Sequence, residues 1–177
     1  MIRPRIRSAV EADPESIRRI YEHDVLTGTV SFEIDPPDLE AIRECWQLAG
    51  EAGLPYLVSM IENQVVAFTY ALPYRPRPAY RYTVEQSIYV DWSWRRQGIG
   101  KQLLDRLVEL LTGCGIREII GIIGDGANEA SPLAHESAGF HQVGTLQNVG
   151  RKFGRWLDTV IVQRSLSPSP NEAAEIQ

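Results

Sequence analysis

The sequence predicts an α/β fold, a mixed β-sheet with helices packed on it. Three observations carry that expectation. The apolar spacing is helical over roughly the first fifty residues and changes to the alternating and continuous runs of strands from Tyr56 onward. A strand-like run, Thr83 to Val90, passes through Arg95-Arg96-Gln97-Gly98-Ile99-Gly100 into a helical run, Lys101 to Leu111. With 177 residues, 44% hydrophobic and 23% charged, the chain can bury a core as a single globular domain.

Taken in order, Arg5 to Ala9 reads as a short strand. Asp13-Pro14 is a helix start, with Asp13 expected as N-cap and proline at the first helical position. Ile17, Ile20, Tyr21 and Val25 then form a stripe. Thr27 to Phe32 is too irregular for either element, and Pro36-Pro37-Asp38 opens a second helix with Leu39, Ile42 and Trp46 on one face. Tyr56 to Ile61 and Val65 to Tyr74 are expected as a hairpin around Glu62-Asn63-Gln64. Tyr82 to Val90 is the next strand, followed by a helix burying Leu103, Leu104, Leu107 and Leu111. Ile116 to Ile123, a short helix over Pro132 to Ser137, and strands at His141 to Leu146 and Trp156 to Gln163 complete the sheet. The domain is expected to span 1–166, and the polar 167–177 tail to be disordered.

Bulk properties exclude several classes. A net charge of −5 argues against a nucleic-acid binder, which would display a basic face. No apolar run approaches a membrane span, and the N-terminus lacks a signal core. Cys45 and Cys114 are expected as reduced core thiols, and a cytoplasmic location follows. The His, Cys and Asp residues have no metal-ligand spacing, and there is no Gly-x-Ser-x-Gly elbow for a serine nucleophile.

The glycine turn is the most informative segment. A chain turning from strand to helix through Gly98 and Gly100 directs backbone N–H groups at one spot, where the helix dipole adds positive potential. Arg95 and Arg96 add charge beside it, so the turn suits a phosphate or pyrophosphate. A glycine-softened turn with solvated arginines would read the same way. A dinucleotide fingerprint is excluded by Leu103 where a third glycine belongs. A P-loop is excluded by Gln102 after Gly100-Lys101.

Two further segments carry chemistry. Glu85 is a carboxylate part-way along an apolar-to-neutral strand that leads to the turn. It is either a solvated edge residue or a group whose pKa burial raises for use as a base. Arg75 and Arg77, held by prolines and followed by Tyr80, make a stiff cationic loop suited to forked recognition of a carboxylate or phosphinate. A solvent-facing loop is the alternative.

The pattern Arg95-x-x-Gly98-x-Gly100 resembles the pyrophosphate loop of the GNAT acetyltransferases, which bind acetyl-coenzyme A. Thr29-Val30-Ser31-Phe32, Pro78 to Val90, Leu133 to Phe140 and Gly150 to Asp158 resemble, within that superfamily, the phosphinothricin and methionine sulfoximine N-acetyltransferases. The resemblance spans Ile6 to Leu166. It implies a sheet splayed into a cofactor cleft, acetyl-CoA as donor, no metal, a small amino acid as acceptor, direct transfer in a ternary complex and a homodimer. Glu85 takes the position of the base. His135, four residues before Gly139, stands where many members place a tyrosine that protonates the leaving thiolate. It is either that acid or a packing residue. By the same resemblance Ile88, Tyr89 and Val90 offer backbone groups to pantetheine. Arg95, Arg96, Gln97, Gly98, Ile99, Gly100 and Lys101 hold the pyrophosphate, and Asn128 and Ser131 reach the coenzyme's far arm. Phe32, Arg75, Arg77 and Tyr80 line the acceptor pocket. Acetylation of another amine, a polyamine or a protein N-terminus, and a non-catalytic acyl-CoA sensor are the competing functions. The cationic loop counts against a polyamine, and Glu85 and His135 count against a sensor.

Overall fold

In the structure, a computed structural model describing residues 4–125 and 130–166, seven strands form one mixed sheet in the order β1-β2-β3-β4-β5-β7-β6. The strands are β1 (Arg5–Ser8), β2 (Tyr56–Ile61), β3 (Gln64–Pro73), β4 (Thr83–Val90), β5 (Glu118–Gly124), β6 (His141–Lys152) and β7 (Arg155–Ser165). The helices are α1 (Pro14–Thr27), α2 (Leu39–Glu51), α3 (Ile99–Gly113) and α4 (Ala130–Ser137). The expected Asn128 and the 167–177 tail lie outside the described residues. None of the described helices is long and apolar enough to cross a membrane.

Two cores sandwich the sheet. On one face α1 and α2 bury Ile17, Ile20, Ile42 and Ala49 against Val58 and Phe68. On the other, α3 buries Leu103, Leu104, Leu107 and Leu111 against Val84 and Ile119. Each of the Ile, Leu and Val side chains contributes about 1.5–3 kcal/mol when withdrawn from water. The helical spacing in the sequence is therefore the spacing of the buried stripe.

Asp13 does occupy the N-cap position of α1, but its side chain does not cap. It accepts two bonds from the Arg7 guanidinium, at 2.6 and 2.8 Å, and one from the Val10 N–H at 2.8 Å. A forked ion pair outcompetes a single cap bond. Asp38 caps α2 as its sequence position suggests, accepting from the Ala41 N–H at 2.9 Å. Cys114 is exposed at the C-cap of α3, not in a core, and Cys45 is half-buried; both are free thiols.

The feature that positions the site is an interrupted strand pair. β4 and β5 run parallel and pair only from Thr83–Glu118 to Gln86–Gly121. Beyond that point β4 continues along β3 as far as Val90 opposite Ala67. β5 meanwhile continues along β7 to Gly124 opposite Thr159. The sheet thus parts after Gln86, leaving one edge of Ser87 to Val90 without a strand partner. The parted end of β4 is held from its face instead. Tyr89 packs against Tyr21 (4.5 Å between centroids) and Phe68 (5.1 Å). Such aromatic pairs add about 0.5–1.5 kcal/mol beyond area burial.

Candidate active site

The cleft opened by the splay is lined along β4 by Gln86 to Tyr89, along β5 by Ile122 and Ile123, and at its walls by Val30, Ser131 and His135. Strand parity sorts its surroundings onto two faces. Gln86, Ile88 and Val90 point toward α3, and Glu85, Ser87 and Tyr89 toward α1 and α2. Since Glu85 pairs with Ile120, the β5 residues Ile120, Ile122 and Gly124 share the Glu85 face.

On the α3 face stands the glycine turn. Gly98 is left-handed, with φ 80°, and Arg96 before it has φ 60°, a conformation that turns successive N–H groups inward. The first-turn N–H groups of α3 have no intrahelical acceptor, as at any helix start. A Cβ added at Gly100 would stand 3.7 Å from Val90 Cγ2 and 3.8 Å from Ile88 Cδ1. The turn therefore lies directly over the unpaired end of β4. A pyrophosphate at the helix start and an extended arm along Ile88 to Val90 fit this arrangement.

One expected contributor is otherwise engaged. Arg95 donates to the Val90 carbonyl at 3.0 Å and forms an ion pair with the buried Asp24 of α1. Its guanidinium is a partner for a buried carboxylate rather than a free charge beside the turn. Burial still holds the Asp24 pKa above the ordinary carboxylate value, against the pull of Arg95. Arg96 is exposed, and Lys101 pairs with Asp105 at 2.6 Å on the surface of α3.

His135 sits at the vertex of the splay. It is 2% exposed, its Nδ1 lies 2.7 Å from the Ser131 carbonyl and its Nε2 lies 2.5 Å from Gln86 Nε2. A carbonyl only accepts, so Nδ1 carries the proton and Nε2 accepts from the Gln86 amide. Burial pushes the imidazole pKa down, which keeps the ring neutral near pH 7. Gln86 belongs to the last β4–β5 pair, and its Oε1 is buried without a hydrogen-bond partner among the described residues. A Cβ on the opposing Gly121 would meet Val162 at 2.7 Å and Gln86 at 2.8 Å, so glycine there makes room for this side-chain junction.

Glu85 is half-buried on the opposite face. Burial raises its pKa and the charge of Arg75 partly offsets the rise. Arg75 is exposed with its guanidinium 4.6 Å from the Tyr74 ring centroid, and Tyr80 meets Tyr74 edge-on at 5.7 Å. A one-turn 3₁₀ helix, Pro78–Tyr80, stiffens the loop. Arg77 is exposed at its start. Across the cleft on the same face lies Phe32, against Gly124. Ile122, which shares that face, is 43% exposed. The arrangement offers an apolar patch bounded by Phe32, with a carboxylate and guanidinium groups beside it.

Three residues that shape the site have no distinguishing signal in the sequence: Gln86, Asp24 and Gly121. Gln86 and Gly121 are single residues in ordinary strands, and Asp24 reads as a solvated helix charge. Gly150 and Lys152 stand out only through family likeness. Among the described residues no group of three or more His, Cys, Asp or Glu side chains could hold a metal.

Comparison with known proteins agrees with this geometry. A model described as the acetyltransferase (GNAT) family matches residues 15–140. A phosphinothricin N-acetyltransferase of Alcaligenes faecalis is 43% identical over 92% of this chain and 82% of that protein. An L-methionine sulfoximine/L-methionine sulfone acetyltransferase of Pseudomonas aeruginosa is 37% identical over 93% of this chain and 95% of that protein. Among solved structures, a phosphinothricin acetyltransferase from Sinorhizobium meliloti in complex with acetyl-CoA superposes with a TM-score of 0.90. It is 38% identical, and the match covers 96% of this chain and 95% of that one.

Proposed function

This chain belongs to the acetyltransferase (GNAT) family, and on that premise we propose that it acetylates the amino group of a small amino acid with an oxidised, tetrahedral side-chain group. Phosphinothricin, methionine sulfoximine and methionine sulfone are acceptors of this type, and the relatives named for them supply the chemical class. The observation that carries the reading is the pairing of two faces through one splay. The glycine turn lies over β4 on the α3 face, while Glu85 and the arginine loop lie on the other. A donor and an acceptor approaching from opposite faces meet at the parted strands, as direct transfer in a ternary complex requires.

Acetyl-CoA, when bound, supplies the acetyl thioester that the amine attacks. The turn from Arg96 to Lys101 binds the pyrophosphate through backbone N–H groups, and Ile88 to Val90 bind the pantetheine arm along the unpaired edge of β4. Arg95 contributes backbone to this turn while its side chain holds Asp24. Ser131, which lines the cleft, reaches the coenzyme's far arm in this reading. Glu85 takes the proton from the acceptor ammonium; its raised pKa makes it a better base than a solvated carboxylate. Arg75 and Arg77 bind the acceptor's anionic groups, with Tyr80 packed beside them and Phe32 as the apolar wall. His135 is a positioning residue in this reading. Its one ring proton is given to a backbone carbonyl, so its work is to hold Gln86 at the vertex. A thiol relay has no support: Cys45 lies in α2, where burial raises its pKa and depletes its thiolate, and Cys114 caps the far end of α3, neither among the residues lining the cleft.

The protein is further proposed to be a cytoplasmic homodimer. Support comes from the outer hairpin, where Val149, Phe153 and Trp156 are exposed. The deciding experiment is thiol release from acetyl-CoA with a panel of amino acids, polyamines and peptides. Release should follow methionine sulfone, methionine sulfoximine or phosphinothricin. Release with a polyamine or peptide alone would overturn the assignment of acceptor class.

A further inference from the structure

The Thr29–Glu33 segment has no regular structure and yet is fastened to the sheet and to α1 at several points. Lys152, at the end of β6, is 4% exposed and donates from Nζ to the Ser31 carbonyl at 2.9 Å. Tyr21 and Ser31 hydroxyls lie 3.2 Å apart, and Thr29 donates through Oγ1 to the Asp125 carboxylate. Two glycines complete the seat. A Cβ at Gly150 would overlap the Phe32 ring, and one at Gly124 would stand 2.8 Å from the Thr29 carbonyl. No side chain fits at either position while Phe32 keeps its place.

A buried ammonium is costly. Burial pulls the Lys152 pKa down, and the carboxylates of Glu33 and Asp24 partly restore it. Such a cost is out of proportion to holding a surface loop whose position has no consequence. The hairpin turn delivers the residue: Phe153 and Gly154 have φ 50° and 76°, and Lys152 opposes Arg155 in register. Two consecutive left-handed residues make the tight turn that fixes strand register.

We propose that Lys152, with Gly150 beneath the Phe32 ring, is a positioning residue that sets acceptor specificity by fixing Phe32 as the wall of the acceptor pocket. The inference rests on the acceptor reading given above. Lys152 touches neither donor nor acceptor; it acts through Ser31 and Phe32. The pocket's apolar width is therefore decided by the hairpin tip, far along the chain from the segment that forms the wall.

The test uses the full chain and three variants. Lys152→Met keeps the apolar stem and leaves the Ser31 carbonyl unpaired. Lys152→Arg keeps a donor, and Gly150→Ala displaces the ring with the lysine intact. In folded Lys152→Met, the acceptor KM for methionine sulfone should rise at least about tenfold with kcat nearly unchanged, the loss expected for a bond to a charged group. Amide exchange across 29–33 should quicken, and acetyl-CoA affinity measured by calorimetry should hold. Lys152→Arg should restore most of the KM, and Gly150→Ala should reproduce the defect. Wild-type KM and wild-type exchange in folded Lys152→Met would overturn the proposal, and if that variant does not fold, a wild-type KM in Gly150→Ala does so. If wild-type protein releases no thiol with any amino acid, the acceptor reading fails instead. Exchange at 29–33 in Lys152→Met still decides whether Lys152 fixes the segment.

Discussion

The two faces of the splay are built by opposite strategies. In the proposed reading, the binding geometry on the α3 face comes from consecutive residues, β4 and then the turn from Arg95 to Lys101, and it uses mainly backbone groups. On the α1/α2 face it comes from side chains on five separate segments: Phe32, the Arg75–Tyr80 loop, Glu85, Ile122 and the β6 tip at Gly150 and Lys152. A helix start presents N–H groups to any pyrophosphate, so it needs little more than glycine and a correct turn. An acceptor pocket must discriminate among small molecules, and side chains from distant segments can be varied one at a time. The constant half of the reaction is therefore written locally and the selective half is assembled.

Substitutions on the two faces should separate cleanly, and the largest effect should fall on Glu85. Removing a general base costs about 10²–10⁴-fold in turnover, so Glu85→Gln should lose activity on that scale at pH 7. Acetyl-CoA affinity should stay at the wild-type level, and activity should partly recover at high pH as free amine accumulates. Turnover near wild type at pH 7 with saturating acceptor would remove Glu85 as base.

Gly100→Val comes next and should act only on the donor. The first Cβ has ordinary contact distances to Val90 and Ile88, so the protein itself accommodates an alanine. The added branches of valine would point into the space over β4. We expect acetyl-CoA affinity to fall by roughly 100-fold, the equivalent of two missing hydrogen bonds, with melting temperature retained. Calorimetry giving an unchanged affinity would break the comparison between the faces.

Arg75→Ala and Arg77→Ala should act only on the acceptor. Removing either charge-assisted hydrogen bond should raise acceptor KM by roughly 10–100-fold. Arg75→Ala carries a second signature. In the wild type the Arg75 charge pulls the Glu85 pKa down, so its removal should move the acidic limb of the rate profile to higher pH. An acidic limb that does not move would place Arg75 away from the base.

The smallest effect is on stability. Burial raises the folded pKa of Glu85 above its unfolded value, so the ionised form costs folding free energy at neutral pH. That cost fades as pH falls through the folded pKa and is gone below about pH 4, where both states are protonated. Glu85→Gln should therefore melt slightly higher than wild type at pH 7, with the difference closing in acid. A lower melting temperature at pH 7 would mean that the carboxylate makes stabilising contacts instead.

Much of the frame is legible in the sequence. The stripes of α1, α2 and α3, the β2–β3 hairpin and the strand entering the glycine turn all follow from period and turn residues. The outer strand does not. Sequence pattern marks only His141 to Leu146, whereas β6 reaches Lys152. Its side chains are mostly exposed, and its register with β7 shifts between Gln142 and Gly144 and again between Leu146 and Gly150. A strand without a covering layer shows no apolar period, so backbone pairing with β7 alone defines it. That extra length is what places Gly150 and Lys152 beneath Phe32. Asp13 departs from its expected capping role, and the Arg95 side chain has a distant partner, for a related reason. Each has a local task within reach, a cap or an anion contact, and each is taken by a charge elsewhere in the chain.

By itself, the sequence determined the helices and most strands, and it marked the glycine turn, Glu85, Arg75 and Arg77 as candidates for chemistry. These depend on period, turn geometry and local charge, which neighbours along the chain decide. Only the tertiary structure decided where the sheet parts, that Gln86 and His135 join at the vertex, and that a buried lysine holds the loop bearing Phe32. Those features depend on pairing register and on which charges must be satisfied once water is removed. The cost of leaving a buried carbonyl, carboxylate or ammonium unpaired acts through space, and no spacing along the chain records it.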